Sequence, residues 1–239
     1  MNSHTVKSYD AEFSELDRLT AQMGGLAEQL LVDSFASLAR RDPALAATAI
    51  ANDRSIDLME RNLQERAILM IAKRQPLAND LRHVMTVLKV ATDLERIGDM
   101  AKNIAKRAMA VSAENHPKEL MGGLRHMTEL ASRQLKDVLD AFATQDAAKA
   151  MAVWNGDADL DALYNSVFRE LLTYMMEDPR HIGLCTHLLF AAKNIERIGD
   201  HTTNIAENIH FLVTGKFMND DRPKGDETAS LMPPASRTN

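Results

Sequence analysis

Apolar residues recur at three- and four-residue spacing from about residue 10 to about residue 214, the period of helices with one packed face. The pattern breaks at Arg41-Asp42-Pro43, at Pro76, around Asn115-His116-Pro117, at Gln145-Asp146 and at Asp178-Pro179. Asp42 before Pro43 reads as an N-cap followed by proline at the first helical position, and Asp146 before two alanines gives the same signal without the proline. The breaks predict six helices, roughly 10–40, 43–74, 77–112, 118–144, 147–177 and 180–213. The segment from Thr214 onward is polar and carries Pro and Gly, and is expected to stay disordered.

The pattern also repeats. ERIGDMAKNIA (95–105) and ERIGDHTTNIA (196–206) match at eight of eleven positions, at an offset of 101. Upstream, Asp42, Asp53 and Asp57 correspond to Asp146, Asp157 and Asp161 at an offset of 104. This is an internal duplication whose period is too long for common solenoids. The expected fold is all-α, two tandem pseudo-symmetric three-helix bundles, with a first unit over 1–114, a second over 115–214 and a tail over 215–239. A second MGG, at 121–123 after 23–25, falls out of register and is read as coincidence.

Composition agrees with helices: apolar residues make up 45% of the 239, but aromatic residues only 5%. The net charge of −6 leaves no bulk positive excess for nucleic acid. One cysteine, Cys185, excludes an intrachain disulfide and fits a reducing compartment. The first residues lack an apolar signal core and no apolar run approaches membrane-spanning length, so a cytoplasmic protein is expected.

Candidate chemistry lies in four carboxylate pairs at i, i+4 spacing: Asp53/Asp57, Glu95/Asp99, Asp157/Asp161 and Glu196/Asp200. Such pairs share a helix face and repel one another. Asp57 lies 19 residues before Pro76 and Glu95 lies 19 after it, so a hairpin there sets them at one height, ~28 Å from the turn. Asp53 then meets Asp99, and a hairpin at Asp178-Pro179 does the same for Asp161 with Glu196 and Asp157 with Asp200. Glu95 and Glu196 continue the apolar stripes of their helices, so the acids fall on or beside the packed face. Clustered, partly desolvated carboxylates need protons, arginines or cations.

Oxygen donors suit Mg, Mn, Ca or Fe ions, and Asn103 and Asn204 could add amide oxygens. Gly98 and Gly199 each sit mid-helix at a cost of about 1 kcal/mol, which makes room for a metal cluster or for a close helix. Arg96 and Arg197 are the metal-free alternative, balancing the acids directly. His83, His126, His187 and His201 show no ligand spacing common to both units and read as surface groups or supports, whereas Trp154, the methionines and Cys185 read as core. No nucleotide-binding loop, HExxH or paired Glu-x-x-His motif appears.

The chain resembles the PhoU family on IAKRQP (71–76) with Asp80-Leu81-Arg82, LERIGD (94–99), DVLDAFA (137–143), LTYMMED (172–178) and IERIGD (195–200). The resemblance implies two pseudo-symmetric three-helix bundles and multinuclear clusters of iron or zinc, and with the oxygen donors the candidate ions are iron, zinc, manganese or magnesium. The (E/D)xxxD motifs that hold them match Asp53, Asp57, Glu95, Asp99, Asp157, Asp161, Glu196 and Asp200. It implies a regulatory, non-catalytic role in phosphate uptake and phosphate-starvation signalling. The implied partners are the phosphate ABC transporter ATPase subunit, a phosphate-sensor histidine kinase and a second copy of the chain, with attachment to the membrane only through those complexes. A carboxylate-bridged metalloenzyme, hydrolase or redox, is the alternative that the acids alone allow.

Overall fold

The computed structural model describes the backbone of residues 2–114 and 120–218, and side chains from residue 11 onward within those spans. The expected break at 115–117 and nearly all of the expected disordered tail lie outside the described residues. The helices are α1 (Asn2–Arg40), α2 (Pro43–Arg74), α3 (Asn79–Ala110), α4 (Leu120–Thr144), α5 (Ala147–Asn155), α6 (Asp157–Glu177) and α7 (Ile182–Thr214), with a single 3-10 turn at Pro179–His181. The described residues contain no strand. The fold is thus six helical rods, as expected, with the fifth rod divided between α5 and α6.

The caps form as the sequence indicated. Asp42 accepts from the Ala44 and Leu45 amides, both at 3.0 Å, with Pro43 opening α2. Asp146 accepts from Ala148 (2.9 Å) and Lys149 (3.0 Å) at the start of α5. Each satisfies two amides that a helix start leaves orphaned. The α2–α3 turn closes through Gln75, which takes a left-handed backbone (φ 49°) and returns its amide to Ile71 O at 3.0 Å.

The helix predicted over 147–177 is interrupted at Gly156. There the backbone turns (φ −80°, ψ 0°), and the Gly156 carbonyl accepts from Gln134 Nε2 of α4 at 2.9 Å as well as from the Asp159 amide at 3.4 Å. The equivalent residue of the first repeat, Asn52, lies inside the unbroken α2. The interruption makes Asp157 the first residue of α6, at the positive end of a helix.

Helices α3 and α7, which carry the two ERIGD stretches, form the centre. α3 packs on α1, α2 and α7, while α7 packs on α4, α5, α6 and α3. Both helices bury Val, Ile, Leu and Ala, with Val90, Leu94, Ile97, Ile195, Ile198 and Ile205 fully buried. Across it His201 Nδ1 meets Asp93 Oδ1 at 2.9 Å, tying one repeat to the other. Trp154 and Cys185 lie in the core, as expected. None of the described helices is long and apolar enough to cross a membrane.

Candidate metal centres

Each acidic cluster is built on a helix hairpin, α2–α3 in the first repeat and α6–α7 in the second. In the first, Asp53 of α2 and Asp99 of α3 converge on one cation, the Lys102 ammonium. Its Nζ stands 2.5 Å from Asp53 Oδ2 and 2.5 Å from Asp99 Oδ1. Asp53 is buried, and its other oxygen, Oδ1, accepts no hydrogen bond. Burial alone would depress the Lys102 pKa, but its bonds to Asp53 and Asp99 outweigh that and hold it above the ordinary lysine range. Glu95 sits one turn back. Its carboxyl is pushed up by burial and then by the Asp99 charge, against the pull of Arg96, with Glu60 and Asp57 adding smaller pushes.

In the second repeat Asp157, Asp161 and Glu196 are all buried, and Asp200 is half-buried. The Thr203 hydroxyl stands 3.0 Å from Gly199 O of its own helix and 3.2 Å from Asp157 Oδ1. Lys193 Nζ donates to Glu196 Oε1 at 2.9 Å while lying 4.9 Å from the centre of the Tyr164 ring. Glu196 Oε2 is buried without a hydrogen-bond partner. Burial pushes the Glu196 carboxyl up to about 7. The Lys193 bond opposes this, and the Asp200 and Asp161 charges reinforce it.

Of the four mirrored pairs read from the sequence, Asp53 meets Asp99 through Lys102, while the Asp57 charge acts on Glu95 and the Asp161 charge on Glu196. A ready ligand cage is not present. Among the described residues no three Asp, Glu, His or Cys side chains stand together as a set that could hold a metal ion. In the first repeat the donor set does not fit a metal as it stands, because an ammonium already bridges its two carboxylates. In the second, the donors are hard oxygens, and one buried carboxylate oxygen lacks any partner, which fits a hard cation.

The neutralising groups differ from those the sequence suggested. Arg96 lies 3.5 Å from Glu95 and 3.9 Å from Asp99, but it is exposed. Arg197 is exposed and makes no ion pair with the described residues. Lys102, Lys193, Thr203 and Gln134 carry little signal in the sequence, since a lysine three residues from an acid is common on solvated helix faces. The glycines serve close helix approach. A Cβ on Gly98 would lie 2.9 Å from Ile56 Cδ1 and 3.3 Å from Asp53 Oδ1, and one on Gly199 would collide with Leu160 Cδ2. Among the histidines, His83 bonds Asp17 at 2.7 Å between the Phe13 and Phe142 rings.

The fold and its two acidic seams define a class: duplicated helical bundles in which each repeat carries an ERIGD helix against an acidic partner. The family model described as the PhoU domain matches twice, over residues 20–108 and 124–209. The chain belongs to the PhoU family. It is 51% identical over 230 residues to the phosphate-specific transport system accessory protein PhoU homolog of Rhizobium meliloti, covering 96% of this chain and 97% of that one. It is 50% identical over 226 residues to the homolog of the same name from Caulobacter vibrioides, covering 95% and 98%. The crystal structure of PhoU from Pseudomonas aeruginosa superposes with a TM-score of 0.84 at 38% identity, covering 87% of this chain and all (100%) of that one.

Proposed function

We propose that this chain is a regulatory accessory protein of a phosphate-specific transport system. The observation that carries the reading is the near full-length match to relatives that bear that name, 51% identical over 96% of the chain. The protein acts by binding rather than by turnover. It restrains uptake when phosphate is ample and keeps a phosphate-sensor histidine kinase from switching on the starvation response. Its partners are the transporter's ATPase subunit and the kinase's cytoplasmic sensory region. It works in the cytoplasm as a homodimer and reaches the membrane through those partners.

Divalent cations belong to the same reading. The residues that would hold them are the oxygen donors Asp157, Asp161, Glu196 and Asp200 of the second repeat, where the buried Glu196 Oε2 lacks a partner. A bound ion there would neutralise the seam between α6 and α7 and so fix the surface those helices present to a partner. A catalytic role would need an open metal position beside an acid–base group, and the named relatives are accessory proteins.

Deleting the gene in the native host tests the regulatory reading. Phosphate-starvation genes are expected to become active in high phosphate, and unchanged expression would sink it.

A further inference from the structure

Helices α3 and α7 run antiparallel where the repeats meet: Arg82 reaches Leu212, Asp93 reaches His201 and Arg107 reaches Phe190. The seam between the repeats therefore has two ends built from equivalent positions. Towards the C-terminal end of α3, Arg107 lays its guanidinium 4.8 Å from the centre of the Phe190 ring of α7. At the offset of 101 that relates the two ERIGD helices, Arg107 corresponds to Asn208 and Phe190 to Lys89. Those two residues border an open cleft of about 450 Å³, together with Asp93 of α3 and Asn204 and Glu207 of α7. One end of the seam holds a guanidinium of the chain itself, and the equivalent place at the other end lacks the arginine.

The two ends also differ in charge. Lys106 and Lys193 occupy the positions that in the cleft are Glu207 and Thr92. In the cleft Asp93, 15% exposed, accepts on Oδ1 from His201 Nδ1 at 2.9 Å and from Asn204 Nδ2 at 3.4 Å. Glu207 accepts on Oε1 from Trp154 Nε1 at 3.0 Å. Each carboxylate is thus held in place by one oxygen, and no described residue bonds the other. Asn208 Nδ2 donates to Asn204 O at 2.8 Å, so both asparagines use their amide nitrogens within the wall and keep their amide oxygens as acceptors. Lys89 is exposed and forms an ion pair with neither acid. Acceptors on two helices with few donors among them are the complement of a guanidinium, which offers five donors in one plane and no acceptor.

We propose that this cleft docks an arginine side chain of a partner protein, which takes at this end of the seam the place that Arg107 fills at the other. Asp93 and Glu207 supply the opposite charge, and the Asn204 and Asn208 amide oxygens orient the planar fork. A lysine ammonium is a compact point charge and matches acceptors spread over two helices less well. The cleft is open, so a free small molecule would keep much of its surface in water, whereas a side chain delivered by a protein surface brings its own cover. An arginine bound there touches α3 of the first repeat and α7 of the second at once. The docking holds whether or not the protein regulates phosphate transport.

Trp154 is the chain's single tryptophan and its indole N–H bonds Glu207, so its indole resonance in an NMR spectrum reports on the cleft. The full chain is titrated at fixed ionic strength with a capped Ala-Ala-Arg-Ala-Ala peptide, with the same peptide carrying lysine, and with agmatine as a free guanidinium. The arginine peptide should shift the resonance saturably in the millimolar range, and the lysine peptide should bind several-fold more weakly. Asp93→Asn should weaken the arginine peptide about tenfold, the loss of one charge-assisted hydrogen bond. Lys89→Glu should tighten it, and because Lys89 is exposed this variant still decides if Asp93→Asn loosens the fold. No saturable shift with the arginine peptide would overturn the docking. So would an equal response to the lysine peptide, or a Lys89→Glu chain that binds no more tightly than wild type. Agmatine binding far more tightly than the peptide would overturn the partner protein as the source and make the cleft a metabolite pocket.

Discussion

The two repeats share a motif, a hairpin and four acids each, yet they balance those acids by different physics. The first uses a full charge: Lys102 joins α2 to α3 through Asp53 and Asp99. The second adds dipoles to a full charge, Lys193 on Glu196 of its own helix. The break at Gly156 puts Asp157 at the start of α6, where the helix end favours an anion, and Thr203 adds a hydroxyl. Glu196 is left under-compensated, with a carboxyl pushed up to about 7. Duplication supplied two copies of one seam. The copies part at positions 102 and 203 and at Gly156.

The largest effect that would break this comparison is expected at Lys102. Lys102→Met leaves Asp53 and Asp99 facing one another without a cation and should destabilise the metal-free protein by about 2–4 kcal/mol. The denaturant midpoint in EDTA reads it, and a change no larger than that of an exposed pair would remove the first repeat's special status.

The pH dependence sharpens the contrast. The Glu196 carboxyl titrates near 7 in the folded chain and near 4.5 in the unfolded one, so between those values the folded state holds the extra proton. Stability should therefore fall as pH rises through about 4.5–7, by up to about 2–3 kcal/mol from this residue, and the loss is complete above 7. Glu95, also pushed up, adds to the slope in the same direction. Glu196→Gln should flatten the difference between denaturation curves at pH 5 and pH 8, both in EDTA. An unchanged difference would mean that Glu196 is charged throughout.

A smaller effect belongs to the glycines. Gly199→Ala sets a methyl into Leu160, and its overpacking should exceed the gain in helix propensity, for a net loss of about 1 kcal/mol. Gly25→Ala meets nothing within 4 Å and should gain up to about 1 kcal/mol. Equal shifts in thermal melting would show that Gly199 does not set the α6–α7 distance. Lys193→Met should cost less than Lys102→Met, because Lys193 is the more exposed of the two lysines, and denaturation in EDTA compares the two variants.

Much of this was legible before the fold was known. Periodicity and the caps at Asp42 and Asp146 placed the rods, and the duplication placed the acids in mirrored pairs. The break at Gly156 was not read, because one glycine in a helical stretch costs only about 1 kcal/mol and the pattern runs on through it. At the break Gln134 reaches from another rod to the Gly156 carbonyl, a tertiary bond no local pattern contains. The neutralising cations were sought in Arg96 and Arg197, inside the repeated motif. Lys102 lies within the repeated 95–105 stretch and Lys193 just before its second copy, both at positions where the repeats differ. Similarity between copies pointed to the shared seam, and only the differences held the information on how each copy is balanced.

Anomalous diffraction from crystals of the full chain soaked in Mn²⁺ reads the difference between the repeats most directly. The expected map has manganese beside Glu196 in the second repeat and the Lys102 ammonium still between Asp53 and Asp99. Manganese between Asp53 and Asp99, with Lys102 swung out to solvent, would contradict the assignment of that lysine as the first repeat's cation.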